Sequence, residues 1–341
     1  MPINSHIFTE EIMMSEKNQF KAIIAYHANC IDGFTSAWIT ERALSKKGVK
    51  CTLLPMSYDA LSYKNLEELI AATELAEIDS CKRISLYVVD FSLPVYFLER
   101  LQRDFSTRLK TTIIDHHKSA FEAYAPDLVA MTPDLDILCW FKCEVAGATI
   151  YLDNRHCGAV MCLYYFEGTH MKVPKLLQYV QDWDLWKFKF GDVTRAAQAV
   201  LKSSEPTLEV WDKYLELFEC EGTSCKLVDE GLHIMDGTNR IIDYLVSTAE
   251  DGNLAGQPTK LVYCQSPKLV SELGNRLAKL TGTYGMVVTT ERNSSRLKIS
   301  LRSIGDFDVS EMAKELGGGG HKNAASYYVQ QSLYTLTGED Y

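Results

Sequence analysis

The sequence predicts an α/β protein. An N-terminal domain carries a mainly parallel sheet, a helical linker follows, and a smaller C-terminal α/β domain carries a mixed sheet. Three observations lead there. Short β-prone runs alternate with helical patterns through the first part of the chain. From about 137 to 250 the pattern is mostly helical, and after 251–258 the β signal returns. A βαβαβαβ rhythm of this kind belongs to a mainly parallel sheet with helices on both faces.

In the first domain the expected strands are KAIIAY (21–26), CTLLPMS (51–57), RISLYVVD (83–90) and RLKTTIID (108–115), with a further strand near DLVAMT (127–132). Helical spacing of apolar residues marks GFTSAWITERALSKKG, NLEELIAATELAE and VYFLERLQRDF between them. GAVMCLYYFEG, PKLLQYVQDW, PTLEVWDKYLELFECE and the long LVDEGLHIMDGTNRIIDYLVSTAE make up the helical stretch. The chain is read as a polar extension (1–19), a first domain (20–195), a helical connector (196–254) and a second domain (255–332), with DGNLAGQP as the boundary. In the second domain TKLVYCQ, YGMVVTTER and RLKISLRS are strand-like, LVSELGNRLAKLTG is helical, and a helix, a glycine run and a last strand follow.

Composition narrows the function classes. A hydrophobic fraction of 46% and a charged fraction of 23% are ordinary for a globular protein. No apolar run approaches the roughly 18 residues of a membrane span, and the N-terminus has no secretory pattern. A cytoplasmic protein is expected, with no membrane partner. The ten cysteines contain no C-x-x-C pair, so most are expected to be reduced thiols. Cys139, Cys143, Cys157 and Cys162 have loose zinc spacing, but the segment between them reads as a strand and turn. The net charge of −10 argues against tight binding of long nucleic acids. Small phosphorylated substrates remain, especially where metal ions cancel local charge.

Three strands end in residues that bind metals. KAIIAY runs into His27, with Asp32 and Gly33 close behind. LYVV ends at Asp90. TTII ends at Asp115, His116 and His117. Chemistry in an open parallel sheet gathers outside the carboxyl ends of its strands. One such aspartate is well explained as a helix cap, but three ligand-bearing ends on one edge point to a shared site. Imidazole with carboxylate suits Mn2+, Mg2+ or Fe2+, and several carboxylates suggest more than one ion. Two dications about 3.5–4 Å apart form a recurring clamp for phosphate ester hydrolysis. One of the paired histidines would bind metal and the other would donate to the phosphate or leaving oxygen. Asp115 would fix an imidazole tautomer. Asp182 and Asp184 in VQDWDLW offer a further carboxylate, and their spacing selects neither.

ELGGGGHKNAAS (315–326) is the second motif. Four consecutive glycines suit a backbone that approaches an anion, with His321 next and a helix-prone KNAAS behind. Arg302 and Ser303 end the preceding strand, and Arg302 suits bidentate contact with phosphate.

YHANCIDGFTSA, VVDFS, IDHHK, VQDWDLW and ISLRS…GGGGHKNAAS together resemble the motifs of the DHH phosphoesterase superfamily. The match spans roughly residues 20 to 330. That superfamily includes RecJ-type nucleases, nanoRNases, cyclic-dinucleotide phosphodiesterases and type II inorganic pyrophosphatases. The resemblance implies two Mn2+ ions, or Mg2+, on His27, Asp32, Asp90, His116 and Asp182, with Asp90 bridging. It implies that His117, supported by Asp115, acts at the phosphate. Arg302, Ser303, Gly318, Gly319, Gly320 and His321 would hold the distal end of the substrate across a cleft between the domains. The resemblance admits a homodimer. One departure stands out: Cys30 occupies a place where the superfamily has an aspartate. It is read as a bystander, because hard ligands fill the rest of the site.

The expected activity is hydrolysis of phosphodiester or phosphomonoester bonds in short oligonucleotides or nucleotides by activated water. The alternatives are a cyclic-dinucleotide phosphodiesterase and a nucleotide sensor with little catalysis.

Overall fold

The computed structural model describes residues 21–75, 84–105, 108–131, 140–290 and 296–330. The polar extension and Cys139 lie outside them. The chain divides into two compact units, Met1–Leu232 and His233–Tyr341. Elements are numbered among the described residues.

The first unit holds a six-stranded sheet in the order β2-β1-β3-β4-β6-β5. Its strands are β1 (Lys21–His27), β2 (Lys50–Met56), β3 (Ile84–Val89), β4 (Leu109–Asp115), β5 (Phe141–Val145) and β6 (Ala148–Leu152). Every pairing is parallel except β5 with β6. The central parallel strands β1, β3 and β4 are mostly buried, as helix-covered strands must be, whereas the edge strand β2 is largely exposed or half-buried. The β5–β6 hairpin turns through Ala146 and Gly147, both at positive φ, the geometry that matches strand twist in a two-residue turn.

Helix α1 (Ile31–Ser45) follows β1, α2 (Ala60–Leu75) follows β2, and α3 (Val95–Phe105) follows β3. Two short helices, α4 (Lys118–Tyr124) and α5 (Pro126–Met131), follow β4. The strand expected near DLVAMT is therefore α5. Pro126 supplies a helix-ready φ at the first position and Asp127 faces the positive helix end, and these outweigh the β-prone pattern. Helices α6 (Gly158–Glu167), α7 (Lys175–Asp184), α8 (Asp192–Ser203) and α9 (Leu208–Glu219) complete the unit.

Helix α1 is buried almost all round because it lies against β1 and α6. Trp211 of α9 is fully buried, edge-on to Phe34 at 4.8 Å, and its indole N–H donates to Thr35 Oγ1 at 2.9 Å. The segment read as a connector is thus divided: α8 and α9 are part of the first unit. The division falls inside α10 (Glu221–Ser247). A Cβ on Gly231 would lie 2.2 Å from the Ala196 carbonyl oxygen, so this mid-helix glycine is a contact point with α8.

The second unit has a mixed six-stranded sheet in the order β11-β12-β10-β9-β8-β7. Its strands are β7 (Glu250–Leu254), β8 (Gln257–Tyr263), β9 (Tyr284–Thr290), β10 (Arg296–Ser303), β11 (Gly319–His321) and β12 (Ala324–Gln330). Only β8–β9 is parallel. Met286 and Val288 pack with α12 (Val309–Glu315), while Val287 packs with α11 (Val270–Thr281), so the two faces serve separate cores. DGNLAGQP is a hairpin rather than a boundary. Ala255 and Gly256 take positive φ, and the Gly256 N–H donates to Asn253 Oδ1 at 2.9 Å. KNAAS is likewise a turn entering β12, where pairing with β10 and β11 overrides alanine's helix preference. No helix of the described residues is long and apolar enough to cross a membrane.

If α9 is integral to the first unit, Trp211→Ala should destabilise it by about 3–5 kcal/mol, the usual cost of truncating a buried aromatic. Urea denaturation measures this. A loss below about 1 kcal/mol would mean that α9 only borders the core.

Candidate metal centre

The direction of strand order reverses between β1 and β3, its neighbours being β2 on one side and β4 on the other. A crevice opens outside the carboxyl ends at such a switch point. His27 closes β1, Asp90 follows β3, and Asp115 closes β4, so backbone pairing alone brings three of the expected residues to one edge. Asp90 sits at φ 53°, a left-handed conformation that few non-glycine residues adopt. Its N–H donates to the Ile114 carbonyl at 2.9 Å, which fixes the turn.

Two close approaches shape the floor. A Cβ on Gly33 would lie 2.3 Å from the His27 carbonyl oxygen. A Cβ on Gly158 would lie 2.8 Å from Asp90 Cβ and 3.0 Å from Asp32 Oδ2. Glycine at these places lets α1 and the start of α6 press against the strand ends. Asp32 then accepts N–H bonds from Gly158 at 2.7 Å and Ala159 at 3.0 Å, across the positive end of α6.

Three groups of ligand atoms result, each with its atoms within 4.8 Å of one another: His27, Cys30 and Asp90; Asp32, His116 and Asp184; and Asp90, Asp115, His116 and His117. His116 Nε2 is 3.0 Å from Asp90 Oδ1, 3.3 Å from Asp184 Oδ2 and 3.7 Å from Asp32 Oδ2. His27 Nδ1 is 3.6 Å from Asp90 Oδ2.

Asp182 is not among them. It accepts N–H bonds from Lys189 at 2.8 Å and Phe190 at 3.2 Å and a bond from the Thr194 hydroxyl, which fastens the turn after α7. Asp184, two residues on, takes the place the sequence reading gave to Asp182. Two residues, about half a helical turn, separate inward from sideways, and the end of an apolar run does not reveal which carboxylate points inward.

Asp115 is fully buried. Its Oδ1 accepts from the His116 N–H at 2.7 Å and is 2.7 Å from His117 Nδ1, and its Oδ2 accepts from the Ser92 hydroxyl. Asp115 thus sits against the Nδ1 atom whose protonation it is expected to govern. Ser92 is a partner that the sequence reading missed.

The electrostatics call for added positive charge. Burial, and then repulsion from Asp90 and Asp184, raise Asp32 well above the usual carboxylate range. Burial, with the charge of Asp90 added, raises Asp184 despite His116. Burial also opposes ionisation of Asp90, but the hydrogen bond from His116 and the nearness of His27 hold it below the ordinary range. His27 Nδ1, Asp90 Oδ2 and Asp184 Oδ2 are buried without a hydrogen-bond partner. Orphaned acceptors of this kind are costly in a folded protein, and dications bound by imidazole and carboxylate would satisfy them. The residues present therefore fit a metal centre.

In the second unit the glycine run meets needs of the fold. Gly317 takes φ 76° and Gly320 φ 146°. The N–H groups of Gly317 and Gly318 donate to the Lys314 and Ala313 carbonyls and close α12. A Cβ on Gly318 would lie 2.1 Å from the Ser326 carbonyl oxygen. Only Gly319 meets neither constraint. Ser303 is buried, donating to the Phe307 carbonyl at 2.6 Å and accepting from Asn323 Nδ2 at 2.9 Å. Its hydroxyl is taken up inside the fold rather than offered to a ligand. The Arg302 guanidinium donates to the Leu301 carbonyl at 2.9 Å and Ser271 Oγ at 3.1 Å. His321 lies in β11, and its side chain is outside the description.

The DHHA1 domain family matches residues 260–335. An uncharacterized protein of Acanthamoeba polyphaga mimivirus is 26% identical over 309 residues, covering 89% of this chain and 66% of that protein. Oligoribonuclease NrnB of Bacillus subtilis is 26% identical over 274 residues, covering 76% of this chain and 62% of its own length. The chain thus spans about two thirds of the length of these relatives. RecJ of Thermus thermophilus in complex with Mn2+ shares the fold at a TM-score of 0.50 and 14% identity, over 98% of this chain and 54% of that one. A D-H-H-bearing parallel sheet followed by a DHHA1 domain defines one class of protein. The second unit matches the DHHA1 domain, and the chain as a whole is similar in sequence and fold to proteins of the DHH phosphoesterase superfamily.

Two predictions follow from the site. Asp184→Asn should weaken Mn2+ binding about 10-fold or more, since even supporting residues of a metal site cost that much. Asp182→Asn should leave Mn2+ affinity nearly unchanged while lowering stability. Calorimetric titration of both variants decides it, and the reverse pattern would reinstate Asp182. In the metal-free chain burial opposes charge on His117, but Asp115 outweighs it and lifts the imidazole to about 9. Below the ordinary histidine value of about 6.5 this pair's stabilisation is fully present, and it fades as pH rises through about 9. NMR titration of the His117 ring protons should give a midpoint near 9. A midpoint near 6.5 would mean that Asp115 does not hold the charge.

Proposed function

We propose that this protein is a metal-dependent hydrolase that cleaves phosphodiester or phosphomonoester bonds in short oligonucleotides or nucleotides. The observation that carries the reading is the set of buried, unpartnered acceptors on His27, Asp90 and Asp184, gathered next to an aspartate-held histidine. Two dications, Mn2+ or Mg2+, would be held by His27, Asp32, Asp90, His116 and Asp184, with Asp90 common to both positions. When bound they supply Lewis acidity and lower the pKa of an attacking water. His117 would act from the protein side. Its Nδ1 is engaged by Asp115, so Nε2 is the atom that donates to a phosphoryl or leaving oxygen.

Aromatic side chains beside the centre support a nucleotide over a bare pyrophosphate. Tyr58 is 57% exposed and stacks on Phe91 at 4.2 Å, edge-on to His27 at 6.1 Å. Trp186 is 58% exposed, two residues beyond Asp184, with its ring 6.1 Å from that of Trp183. The exposure of Trp186 favours stacking on a base over core packing. A net charge of −10 supports short substrates over long strands. In the second unit Arg302 and Gly319, on the edge strand β11, are the groups proposed to meet a phosphate of the substrate. The described cysteines are free thiols, in keeping with a reducing compartment such as the cytoplasm.

The test is a panel of labelled oligonucleotides from dimers upward, with chelation followed by Mn2+ add-back. Cleavage should be fastest on dimers to tetramers, vanish with chelator and return with Mn2+. Activity that survives exhaustive chelation, or a preference for long strands, would contradict the proposal.

A further inference from the structure

Cys30 was read as a bystander because hard ligands are plentiful around it. The geometry divides those ligands unevenly. Asp32 and Asp184 gather with His116, whereas the ligand atoms gathered with His27 are those of Cys30 and Asp90. Without the thiol, the position beside His27 has one imidazole and one shared carboxylate.

We propose that Cys30 is a metal ligand, and that with His27 and Asp90 it forms a nitrogen, sulfur and oxygen triad selecting a thiophilic dication such as Zn2+, Fe2+ or Co2+ over Mn2+ and Mg2+. The inference rests on the reading of the centre as a metal site and goes beyond it, because it makes the two positions chemically different.

Four observations carry it. Cys30 is the extended residue just before α1 and makes no side-chain cap hydrogen bond. Its sulfur, a His27 nitrogen and an Asp90 oxygen lie within 4.8 Å of one another. Asp90 is 1% exposed, and its Oδ2 has no hydrogen-bond partner. His27 Nδ1, 3.6 Å from that oxygen, has none either. Zinc bonds of about 2.3 Å to sulfur and about 2.0–2.1 Å to nitrogen let one ion span S–N separations of up to about 4.4 Å. Small side-chain adjustment therefore suffices. The thiol would release its proton to solvent as the metal–sulfur bond forms, a usual accompaniment of binding. Softness then decides selectivity: thiolate favours zinc-like ions, while the all-nitrogen-and-oxygen group of Asp32, His116 and Asp184 suits Mn2+ or Mg2+.

The experiment is a Co2+ titration of the metal-free full chain, followed by absorption. The wild type should show visible d–d bands together with a near-ultraviolet thiolate-to-cobalt charge-transfer band. Cys30→Ser should keep d–d bands and lose the charge-transfer band. Cys30→Asp should lose it too while gaining about 10-fold in Mn2+ affinity relative to Cys30→Ser. As a check that needs no variant, bound Zn2+ should protect Cys30 from alkylation, read by mass spectrometry. Wild-type d–d bands with no charge-transfer band, or a charge-transfer band that persists in Cys30→Ser, would overturn the role of Cys30 and leave the metal centre intact. The absence of any cobalt spectrum would overturn both.

Discussion

Two buried carboxylates, Asp32 and Asp90, and the half-buried Asp184 crowd around one imidazole at the end of the first sheet, and much of the first unit is arranged to hold them there. Asp32 and Asp184 are each driven toward the neutral form by burial and by Asp90. Burial of a charge without compensation is costly by several kcal/mol per ion. The fold offsets part of this locally, with α6 N–H groups on Asp32 and His116 on Asp90. What remains is an unmet demand for positive charge, concentrated on oxygen and nitrogen atoms that have no partner. Bound dications would supply that charge.

Backbone pairing and close helix approaches hold these groups together. Parallel pairing sets His27, Asp90 and Asp115 on adjoining strand ends, and the left-handed turn at Asp90 is tied to β4 through Ile114. Gly33 and Gly158 allow two helices to approach where any side chain would collide. Trp211 anchors α9 across α1, the helix that carries Asp32. Site and core are therefore coupled, and a packing defect on α1 would be felt at Asp32.

Much of this was legible in the sequence. The strand rhythm gave the parallel sheet, and the ligand-bearing endings of KAIIAYH, LYVVD and TTIIDHH identified the edge, because strand direction and side-chain chemistry are both local properties. Asp184 was not recoverable with the same ease, since choosing it over Asp182 requires the rotation of α7 and the tertiary turn that claims Asp182. Ser92 offered only a lone hydroxyl two residues past Asp90. The glycine run was noticed for its openness to anions, yet three of its members are required by a helix stop and a close hairpin. DGNLAGQP and KNAAS carried turn and helix signals whose outcome depended on strand partners distant in sequence. Local chemistry was readable, and which partner each group finds was not.

The central claim is that these strand ends form a two-position dication centre with Asp90 shared. Crystals of the full chain grown with Mn2+, with anomalous scattering recorded at the manganese edge, test it most directly. The account predicts two peaks on either side of the Asp90 carboxylate, one in contact with His116 and Asp184 and the other with His27, the latter weaker if Cys30 makes that position prefer softer ions. No anomalous peak beside Asp90, or a peak bound at Asp182 instead, would contradict it.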